Sequence, residues 1–214
     1  VVPQFLAACR KYVKDFYRGK QKESGVVGRI VNDRHVERLQ RMVDDALASG
    51  GQFVCGGEID PSERYIEPSV MHLPIDSPAM ADETFGPILL VCTVKSVDDG
   101  IRYVNARAKP LSLYLFSEST ATQEKIIQNT SSGGVTVNAT LFHAGHPDLP
   151  FGGVGDAGIG AYHGKESFNT FTHRRAVLRK IALPDGGALS DPFFLYPPWT
   201  GTKQKILDVL FKFV

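Results

Sequence analysis

The sequence predicts an α/β protein with a parallel sheet, and two observations lead to this fold class. Between residues 88 and 137, apolar runs typical of buried strands alternate with amphipathic helices. Strands and helices in that order are joined by right-handed crossovers and pair in parallel. The composition agrees, because a chain of 214 residues with 43% hydrophobic and 22% charged residues has enough apolar mass for one good core.

Two amphipathic helices are predicted to precede this region. The first has apolar side chains at helical spacing over residues 5–16 and ends near Gly19. The second begins with Asn32 or Asp33 as its N-cap and ends at the Ser-Gly-Gly run 49–51. We expect its core-facing side to consist of Val36, Leu39, Val43 and Leu47.

The strands and helices that follow are predicted from an uncharged apolar run and from helix-capping residues. The uncharged run 88–94 is typical of a strand covered on both faces. Ser96 is expected to cap a helix, and residues 120–123 resemble a capping box that opens another. In chain order we expect a strand at 53–55, a strand at 88–94, a helix from Ser96 that ends before Pro110, a strand at 111–116, a helix from the capping box, and a strand at 135–137.

The last third of the chain differs in composition and in the periodicity of its apolar residues. Residues 141–162 are rich in Gly, Pro and His without periodicity, which predicts a long ordered loop. A strand is expected over residues 168–172 and continuing through 177–178. The stretch 184–201, rich in Pro and Gly, is predicted to wrap over the surface before a short terminal helix.

The charge balance argues against a nucleic-acid partner. Lys and Arg number 24 and Asp and Glu number 23, so the net charge is +1. No stretch combines basic and aromatic residues as a nucleic-acid groove does. The three cysteines, Cys9, Cys55 and Cys92, are odd in number and far apart, so we expect buried thiols in a reducing compartment rather than disulfides.

Neither a signal peptide nor a membrane span is expected. The chain starts at Val1 without a charged segment and an apolar run, so we expect it to begin within a longer protein. No apolar stretch is long enough to cross a bilayer. The apolar ending, residues 206–214, could lie on a membrane or pack on the protein, and packing is the simpler expectation.

Residues 153–158 match the G-x-G-x-x-G pattern of dinucleotide-binding loops, but the context argues against that role. Such a loop follows a strand and opens a helix, whereas here Pro147 and Pro150 precede it and Gly160 follows. A metal site is not expected either, because the spacing of the histidines lacks the paired ligands of a zinc site. We expect hydrogen bonds to the backbone from these loop histidines, which are His143, His146, His163 and His173.

Two runs carry most of the functional information. Residues 83–87 read Glu-Thr-Phe-Gly-Pro, and residues 149–155 read Leu-Pro-Phe-Gly-Gly-Val-Gly. Each places a large aromatic beside glycines, which allow the backbone to approach a flat ligand. The first adds a carboxylate that can accept hydrogen bonds from sugar hydroxyls. Together they predict a cleft for a nucleotide and a substrate.

These runs, with several others in the same order, resemble the aldehyde dehydrogenase superfamily, and most closely its class 3 and fatty aldehyde dehydrogenase branch. The resemblance extends from residue 5 to residue 198, and the further motifs are at 131–135, Asn138, 162–168, 172–175 and 196–198. It implies a parallel-sheet catalytic domain with a C-terminal oligomerisation strand. The implied organisation is the C-terminal part of the catalytic domain at 1–163, the oligomerisation strand region at 164–182, and a C-terminal tail at 183–214.

The resemblance also implies an activity. Enzymes of this family oxidise aldehydes to carboxylic acids through a cysteine thiohemiacetal, with NAD or NADP as coenzyme. The nucleophilic cysteine and a general-base glutamate are then expected upstream of Val1, since Cys9, Cys55 and Cys92 lack the required loop. We therefore expect the parent protein to be active and this chain alone to be inactive. The alternative is a truncated, non-catalytic paralogue that acts as a dimerisation or interaction module.

Five residues match site positions of the family. Glu83 corresponds to the glutamate that binds the nicotinamide ribose, and is also a candidate base in this branch; Phe85 corresponds to the aromatic that positions the nicotinamide. Phe151 corresponds to the aromatic that lines the aldehyde pocket, or else it is a core residue that anchors the glycine loop. Asn138 and His163 are expected to support the site.

The implied partners are an aldehyde and a second copy of the protein. The expected substrates are medium or long aliphatic aldehydes or aromatic ones, which suggests a role in aldehyde and lipid metabolism. The family uses the region 165–178 to pair with a neighbouring subunit as a homodimer. The protein is expected in the cytoplasm or, through its C-terminal end, at the endoplasmic reticulum membrane.

Overall fold

The computed structural model describes residues 1–179 and 192–213, which belong to two compact units, Val1–His163 and Gly164–Val214. The helices of the first unit are α1 (Val2–Tyr17), α2 (Asp33–Ala48), α3 (Val97–Asn105), α4 (Thr120–Asn129) and α5 (Phe142–Gly145). Its strands are β1 (Gln52–Cys55), β2 (Ile59–Asp60), β3 (Tyr65–Ile66), β4 (Ser69–His72), β5 (Ile88–Val91), β6 (Ser112–Leu115) and β7 (Gly134–Val137). The second unit contains α6 (Gly164–Phe171) and α7 (Gly201–Leu210).

Two pairs of strands are parallel, and in one of them, β6 and β7, helix α4 lies between the strands in the sequence. Strand β4 lies between β1, to which it is antiparallel, and β5, to which it is parallel. Strands β6 and β7 form a second parallel pair, and β2 and β3 form a short antiparallel hairpin. The predicted α/β class with parallel strands is confirmed. In the part of the chain that is described, however, the parallel pairs belong to separate small sheets rather than to one continuous sheet.

Helix α2 supplies much of the core. The Asn32 side chain accepts a hydrogen bond from the His35 backbone N–H at 3.1 Å, which confirms the predicted N-cap. The predicted core residue Leu47 is 45% exposed, which corrects that expectation. Leu47 lies in the last turn of α2, at the edge of the buried face of the helix and not at its centre, so its side chain stays partly in solvent. The buried face consists of Val36, Leu39, Met42, Val43 and Ala46.

Helix α1 forms where it is predicted, but its apolar face stays largely uncovered. The helix ends at Tyr17 and is followed by its C-cap residue Arg18, which has a left-handed backbone. Phe5, Tyr12 and Phe16 are exposed by 46%, 50% and 72%. The helix is tied to β1, because Arg10 Nε donates to the Val54 carbonyl at 2.7 Å.

The strand predicted at 88–94 is shorter and less covered than expected. It spans Ile88–Val91, an edge strand of its three-stranded sheet. Leu89 is 47% exposed, so the face of β5 on which it lies is not covered as expected. Helix α3 confirms its Ser96 cap, which accepts from the Asp99 N–H at 3.1 Å. Helix α4 is capped one residue earlier than the predicted box, by Ser119.

The strand predicted at 168–172 is wrong, because those residues lie within or at the end of helix α6. Local side-chain bonds favour the helix: Asn169 Nδ2 donates to Glu166 Oε1 at 3.3 Å, and the Thr172 hydroxyl donates to the Phe168 carbonyl at 2.5 Å. Residues 172–179 form neither helix nor strand, so the continuation through 177–178 is also not observed.

The remaining predictions concern the loop and the tail. The region 141–162 contains the short helix α5 and a 3-10 turn at Gly155–Ala157, so it is less irregular than predicted. The short terminal helix is confirmed as α7. The 182/183 domain boundary and the tail at 184–191 lie outside the described residues. Across the described ranges, no helix is both long enough and apolar enough to cross a membrane.

Candidate functional site

Residues 83–87 form a loop that enters strand β5 and is held by helix α2. Arg38 Nη2 donates to the Thr84 carbonyl at 2.6 Å and, more weakly, to the Phe85 carbonyl at 3.4 Å. Arg38 Nη1 donates to the Glu83 carbonyl, also at 3.4 Å. A single half-buried guanidinium therefore contacts three successive carbonyls, which its planar fork of donors allows.

Phe85 has an unusual backbone conformation. Its φ is 41°, which is in the left-handed region that bulky L-residues avoid at a cost of about 1–2 kcal/mol. Its side chain is 77% exposed, so burial of the ring does not compensate for that cost. The loop thus presents an aromatic ring to solvent beside the exposed Glu83, on a backbone that its surroundings hold in place.

The far end of this loop is anchored by close packing. A Cβ on Gly86 would lie 2.7 Å from the methyl groups of Leu39, which is fully buried. The next carbonyl, that of Pro87, accepts a hydrogen bond from the Ser69 N–H of strand β4 at 2.8 Å. A side chain at position 86 would therefore force the Leu39 methyl groups to shift within the core.

Phe151 lies at the start of the glycine loop and is paired with Tyr162. The two residues exchange backbone hydrogen bonds of 2.9 and 3.0 Å. The Phe151 ring meets the Tyr162 ring edge-on at 5.7 Å and stacks on the His163 ring at 6.2 Å. These distances are typical of favourable aromatic pairs. The ring therefore helps to fasten the two ends of the loop together.

The glycines after Phe151 allow the backbone to pack against itself. A side chain at Gly152 would overlap with the Gly160 carbonyl, and one at Gly153 would overlap with the Ala157 carbonyl. The loop continues into a 3-10 turn, Gly155–Ala157, rather than a long helix. The G-x-G-x-x-G match therefore does not open a helix as a dinucleotide-binding fingerprint does.

His143 is a buried polar residue in ring contact with Phe151, and it is not among the predicted site residues. It is 7% exposed, with Nε2 at 3.1 Å from the Ser112 hydroxyl and Nδ1 at 2.7 Å from the Thr136 hydroxyl. Its ring lies 5.8 Å from that of Phe151. The expectation of bonds to the backbone is wrong for this histidine, since both partners are side chains of β6 and β7. It is correct for His146, whose Nδ1 accepts from the Asp148 N–H at 3.2 Å.

Asn138 and His163 both have left-handed backbones, with φ values of 57° and 82°. Asn138 follows β7, and its side chain bonds both backbone groups of Ser117: Oδ1 accepts from the N–H at 2.9 Å and Nδ2 donates to the carbonyl at 3.0 Å. These bonds join the ends of β6 and β7. His163 packs edge-on against Tyr162 at 4.4 Å, in addition to its stack on Phe151.

The predicted site residues thus form two groups. Glu83 and Phe85 share one loop, and Phe151 and His163 share one aromatic cluster. None of the hydrogen bonds or ring contacts given above links the first group to the second. Arg38 and His143 connect these groups to the scaffold, and sequence reasoning missed both. An arginine on a helix resembles a solvated charge, and a histidine in a glycine-rich loop resembles a turn residue.

Two of the cysteines, Cys55 and Cys92, lie in an environment that disfavours a nucleophilic thiolate. All three thiols are free and half-buried. Burial raises the pKa of Cys55 and Cys92, which disfavours the reactive thiolate. Within the described residues, no group of three or more His, Cys, Asp or Glu is placed to hold a metal ion.

Comparisons with known proteins give a consistent result. The model of the aldehyde dehydrogenase family matches residues 1–177. The chain is 44% identical over 182 residues to the dimeric NADP-preferring aldehyde dehydrogenase of Rattus norvegicus, covering 84% of this chain and 39% of that protein. It is 41% identical over 213 residues to the 4,4'-diaponeurosporen-aldehyde dehydrogenase of Staphylococcus aureus, covering 99% of this chain and 44% of that protein.

Solved structures show the same relationship. The substrate-bound state of Staphylococcus aureus AldH matches with a TM-score of 0.77 and 39% identity, over 98% of this chain and 44% of that one. Glyceraldehyde-3-phosphate dehydrogenase GapN of Methanocaldococcus jannaschii, in complex with NADP, matches with a TM-score of 0.57 and 26% identity, over 63% of this chain and 29% of that one. The chain spans less than half the length of these relatives. The family match and the level of identity confirm the resemblance seen in its motifs: the chain belongs to the aldehyde dehydrogenase family.

Proposed function

We propose that these 214 residues are part of an NAD- or NADP-dependent aldehyde dehydrogenase that oxidises aldehydes to carboxylic acids. The observation that carries the proposal is the loop at 83–87. It presents an exposed carboxylate and an exposed aromatic ring on a backbone held by Arg38 and by the core. Membership of the family supports the reaction class.

The loop fits the nicotinamide end of the coenzyme. The Glu83 carboxylate accepts hydrogen bonds from ribose hydroxyls, and an ionised acceptor makes such bonds stronger. The Phe85 ring, which is 77% exposed, offers a flat apolar surface beside it. When bound, the oxidised nicotinamide supplies the acceptor for the hydride that leaves the substrate carbon. A loop that is already fixed loses little entropy when the coenzyme binds.

Phe151 is proposed to line the aldehyde pocket. Its ring is half-buried and touches His143, Tyr162 and His163, so its position is set before the substrate arrives. The same contacts support the structural alternative, in which the ring anchors the glycine loop. We propose that it does both, with one part of the ring packed and another facing the aldehyde.

The nucleophile is proposed to lie in polypeptide upstream of Val1. A cysteine thiolate there would add to the aldehyde carbon to form a thiohemiacetal, and loss of hydride from that carbon would give a thioester. A glutamate, also upstream, would take a proton from the water that hydrolyses the thioester to a carboxylic acid. The raised pKa of Cys55 and Cys92 supports this division of roles. The complete polypeptide would then be the enzyme, and residues 1–214 alone would be inactive.

The coenzyme and the substrate are proposed at the level of chemical class. One relative is named NADP-preferring, and one structural neighbour was solved with NADP, which supports either nicotinamide coenzyme. A relative is named for 4,4'-diaponeurosporen-aldehyde. We propose medium or long aliphatic aldehydes, or aromatic ones, as substrates, with a role in lipid-derived aldehyde metabolism.

The second unit supports the proposal of a homodimer. Helix α6 exposes Phe168 by 68% and Phe171 by 85%, and the segment after it exposes Leu178 by 96%. Apolar side chains this exposed are typical of a surface that a partner covers. One relative is named dimeric. The same observation supports the second candidate function, a truncated paralogue that serves only as a dimerisation module.

Association with a membrane surface is a further part of the proposal. Helix α7 ends with Val209 and Leu210 exposed by 58% and 50%, and Phe211 follows at 68%. An apolar patch of this kind can insert into the headgroup region of a bilayer. The protein would then divide between the cytoplasm and the endoplasmic reticulum membrane. Sedimentation with phospholipid vesicles, compared with a Phe211→Asp variant, measures this.

The activity is tested with the complete polypeptide that contains these residues. We expect reduced nicotinamide to form when NAD or NADP and an aldehyde are supplied, and the Glu83→Gln variant to bind the coenzyme more weakly. If Glu83 were also the base, Glu83→Gln would lose turnover at saturating coenzyme as well. Absence of reduced nicotinamide with aldehydes of every chain length would favour the dimerisation module instead.

A further inference from the structure

We infer that Arg38 is a positioning residue for the coenzyme: it sets the backbone of residues 83–85 so that Glu83 and Phe85 point at the ribose and the nicotinamide. The inference rests on the proposed coenzyme role of those two residues. It goes further because it names a distant group, on helix α2, that controls their orientation.

The contact geometry requires a planar, multiply donating group. The strongest bond goes to the middle carbonyl, that of Thr84, at 2.6 Å, and the flanking carbonyls of Glu83 and Phe85 are each at 3.4 Å. A guanidinium reaches all three because its N–H groups diverge in one plane. A lysine ammonium is a compact point charge on a flexible stem and would satisfy the central carbonyl at most.

The charge of Arg38 is used differently from that of two other arginines of this unit, Arg29 and Arg64. Arg29 pairs with Glu63 at 3.2 Å, and Arg64 pairs with Asp33 at 2.6 Å. Arg38 takes part in none of the ion pairs formed by the described residues, and its contacts there are with carbonyl dipoles. Its half-buried guanidinium therefore serves the loop rather than a carboxylate.

The left-handed backbone of Phe85 makes the loop depend on this contact. A phenylalanine at φ 41° does not hold that conformation by itself, and its exposed ring has little packing to keep it there. Beyond Phe85 the loop is fixed by the fit of Gly86 over Leu39. Before Phe85, the described bonds that hold it are those of Arg38. Without them the segment carrying Glu83 would relax while strand β5 stayed in place.

The test uses the complete polypeptide with Arg38→Lys, and with Arg38→Gln as a second variant in case the first folds poorly. Arg34→Lys is the matched control, because Arg34 lies one turn earlier on α2 and is exposed. For each variant we would measure the dissociation constants of NAD and NADP by calorimetry, kcat and KM with an aldehyde, and hydrogen exchange of the amides of residues 82–88.

We expect both Arg38 variants to bind both coenzymes at least about tenfold more weakly, because misplacing a positioned group costs one to two orders of magnitude. KM for the coenzyme should rise more than kcat falls, exchange should accelerate at residues 82–86 but not in β5, and Arg34→Lys should match the wild type. In an Arg38→Ala variant, added guanidinium ion should restore part of the affinity, which a general loss of stability would not allow.

Unchanged coenzyme affinity in a folded Arg38→Lys protein would overturn the inference, as would faster exchange of the loop without any loss of affinity. Failure of the proposed function has a separate signature, since the wild type itself would then bind neither coenzyme. The exchange data would still show in that case whether Arg38 holds the loop.

Discussion

Two loops of this protein each place a phenylalanine beside glycine, but they are held in opposite ways. The loop at 83–87 is held from outside, by the guanidinium of Arg38 and by the packing of Leu39 against Gly86. The loop at 149–160 is held from within, because the backbone at Gly152 lies directly against that at Gly160. The first leaves its aromatic ring exposed, whereas the second keeps its ring half-buried among other rings.

The difference determines what a mutation should do in each place. A loop held by one remote side chain can lose its orientation while the fold persists, so mutations there should act on ligand binding. At Gly152 and Gly153 the second loop packs backbone against backbone and leaves no room for a side chain, so mutations at these positions should act on folding.

The largest effect is expected from Gly152→Ala. The new methyl group would overlap with the carbonyl oxygen of Gly160, which is backbone and cannot rotate away. We expect a loss of about 3 kcal/mol in the free energy of unfolding, the upper range for overpacking, or failure to fold. Gly145→Ala is the matched control because its Cβ position is open, and it should change stability by less than about 1 kcal/mol. Similar urea denaturation midpoints for the two variants would contradict the comparison.

A slightly smaller effect is expected from His143→Ala. The change removes the ring between β6 and β7, leaves the hydroxyls of Ser112 and Thr136 without their partner, and opens a cavity beside Phe151. The expected loss is about 2–3 kcal/mol. His146→Ala, at an exposed position of the same loop, should cost less than about 1 kcal/mol. Chemical denaturation of both variants measures the difference, and equal losses would show that the buried histidine does not brace this loop.

Phe85→Asn should separate binding from stability. Asparagine tolerates a left-handed backbone, and the replaced ring is 77% exposed, so the free energy of unfolding should stay constant or rise by up to about 1 kcal/mol. Coenzyme affinity should fall, because the aromatic surface is lost. Denaturation and coenzyme titration of the same preparation test both halves. A clear loss of stability would mean that the Phe85 ring packs more than its exposure indicates.

The sequence predicted the helices and strands better than it predicted the residues that hold the site loops, Arg38 and His143. Caps and periodicity located α2 and α3, because these signals are local: Asn32 and Ser96 each bond a backbone N–H within three residues. The strand predicted at 168–172 failed because Phe168 and Phe171 are three residues apart, which fits one helical turn, and local bonds to Glu166 and Phe168 favoured the helix.

The residues of the candidate site also divide into those that local motifs predict and those that they do not. Glu83, Phe85 and Phe151 could be recognised because they lie in motifs that are continuous in sequence. Arg38 is 46 residues away from Thr84 in the sequence, and His143 is 31 residues away from Ser112. No local sequence pattern predicts either contact. Contacts between remote residues depend on how the elements pack, which the pattern of a single sequence does not encode.

A third region, the segment around Lys22 and the β2–β3 hairpin, is held by ion pairs, so its contribution to stability depends on pH. Lys22 Nζ lies 2.7 Å from Asp60 Oδ2 and 3.4 Å from carboxylate oxygens of Glu58 and Glu63, which ties the segment after α1 to the hairpin of β2 and β3. The bond from Lys22, and then that from Ser62, holds the pKa of Asp60 well below its usual range. The same bond with Asp60 raises the pKa of Lys22 above its ordinary value of 10.5.

The smallest predicted effect follows from the direction of these shifts. Because the pKa of Asp60 is lower in the folded state, its contribution to stability is present above the ordinary carboxyl value of 3.8 and is lost as the pH falls through the folded value. Because the pKa of Lys22 is higher in the folded state, its contribution is present below 10.5 and is lost as the pH rises further.

We therefore expect Asp60→Asn to lower the free energy of unfolding equally across neutral pH, and the difference from wild type to shrink in acid. Asparagine keeps the helix-capping role of Asp60, which isolates the charge, and Asp76→Asn at an exposed position is the control. A difference that grew as the pH fell would show that Lys22 does not hold this segment through Asp60.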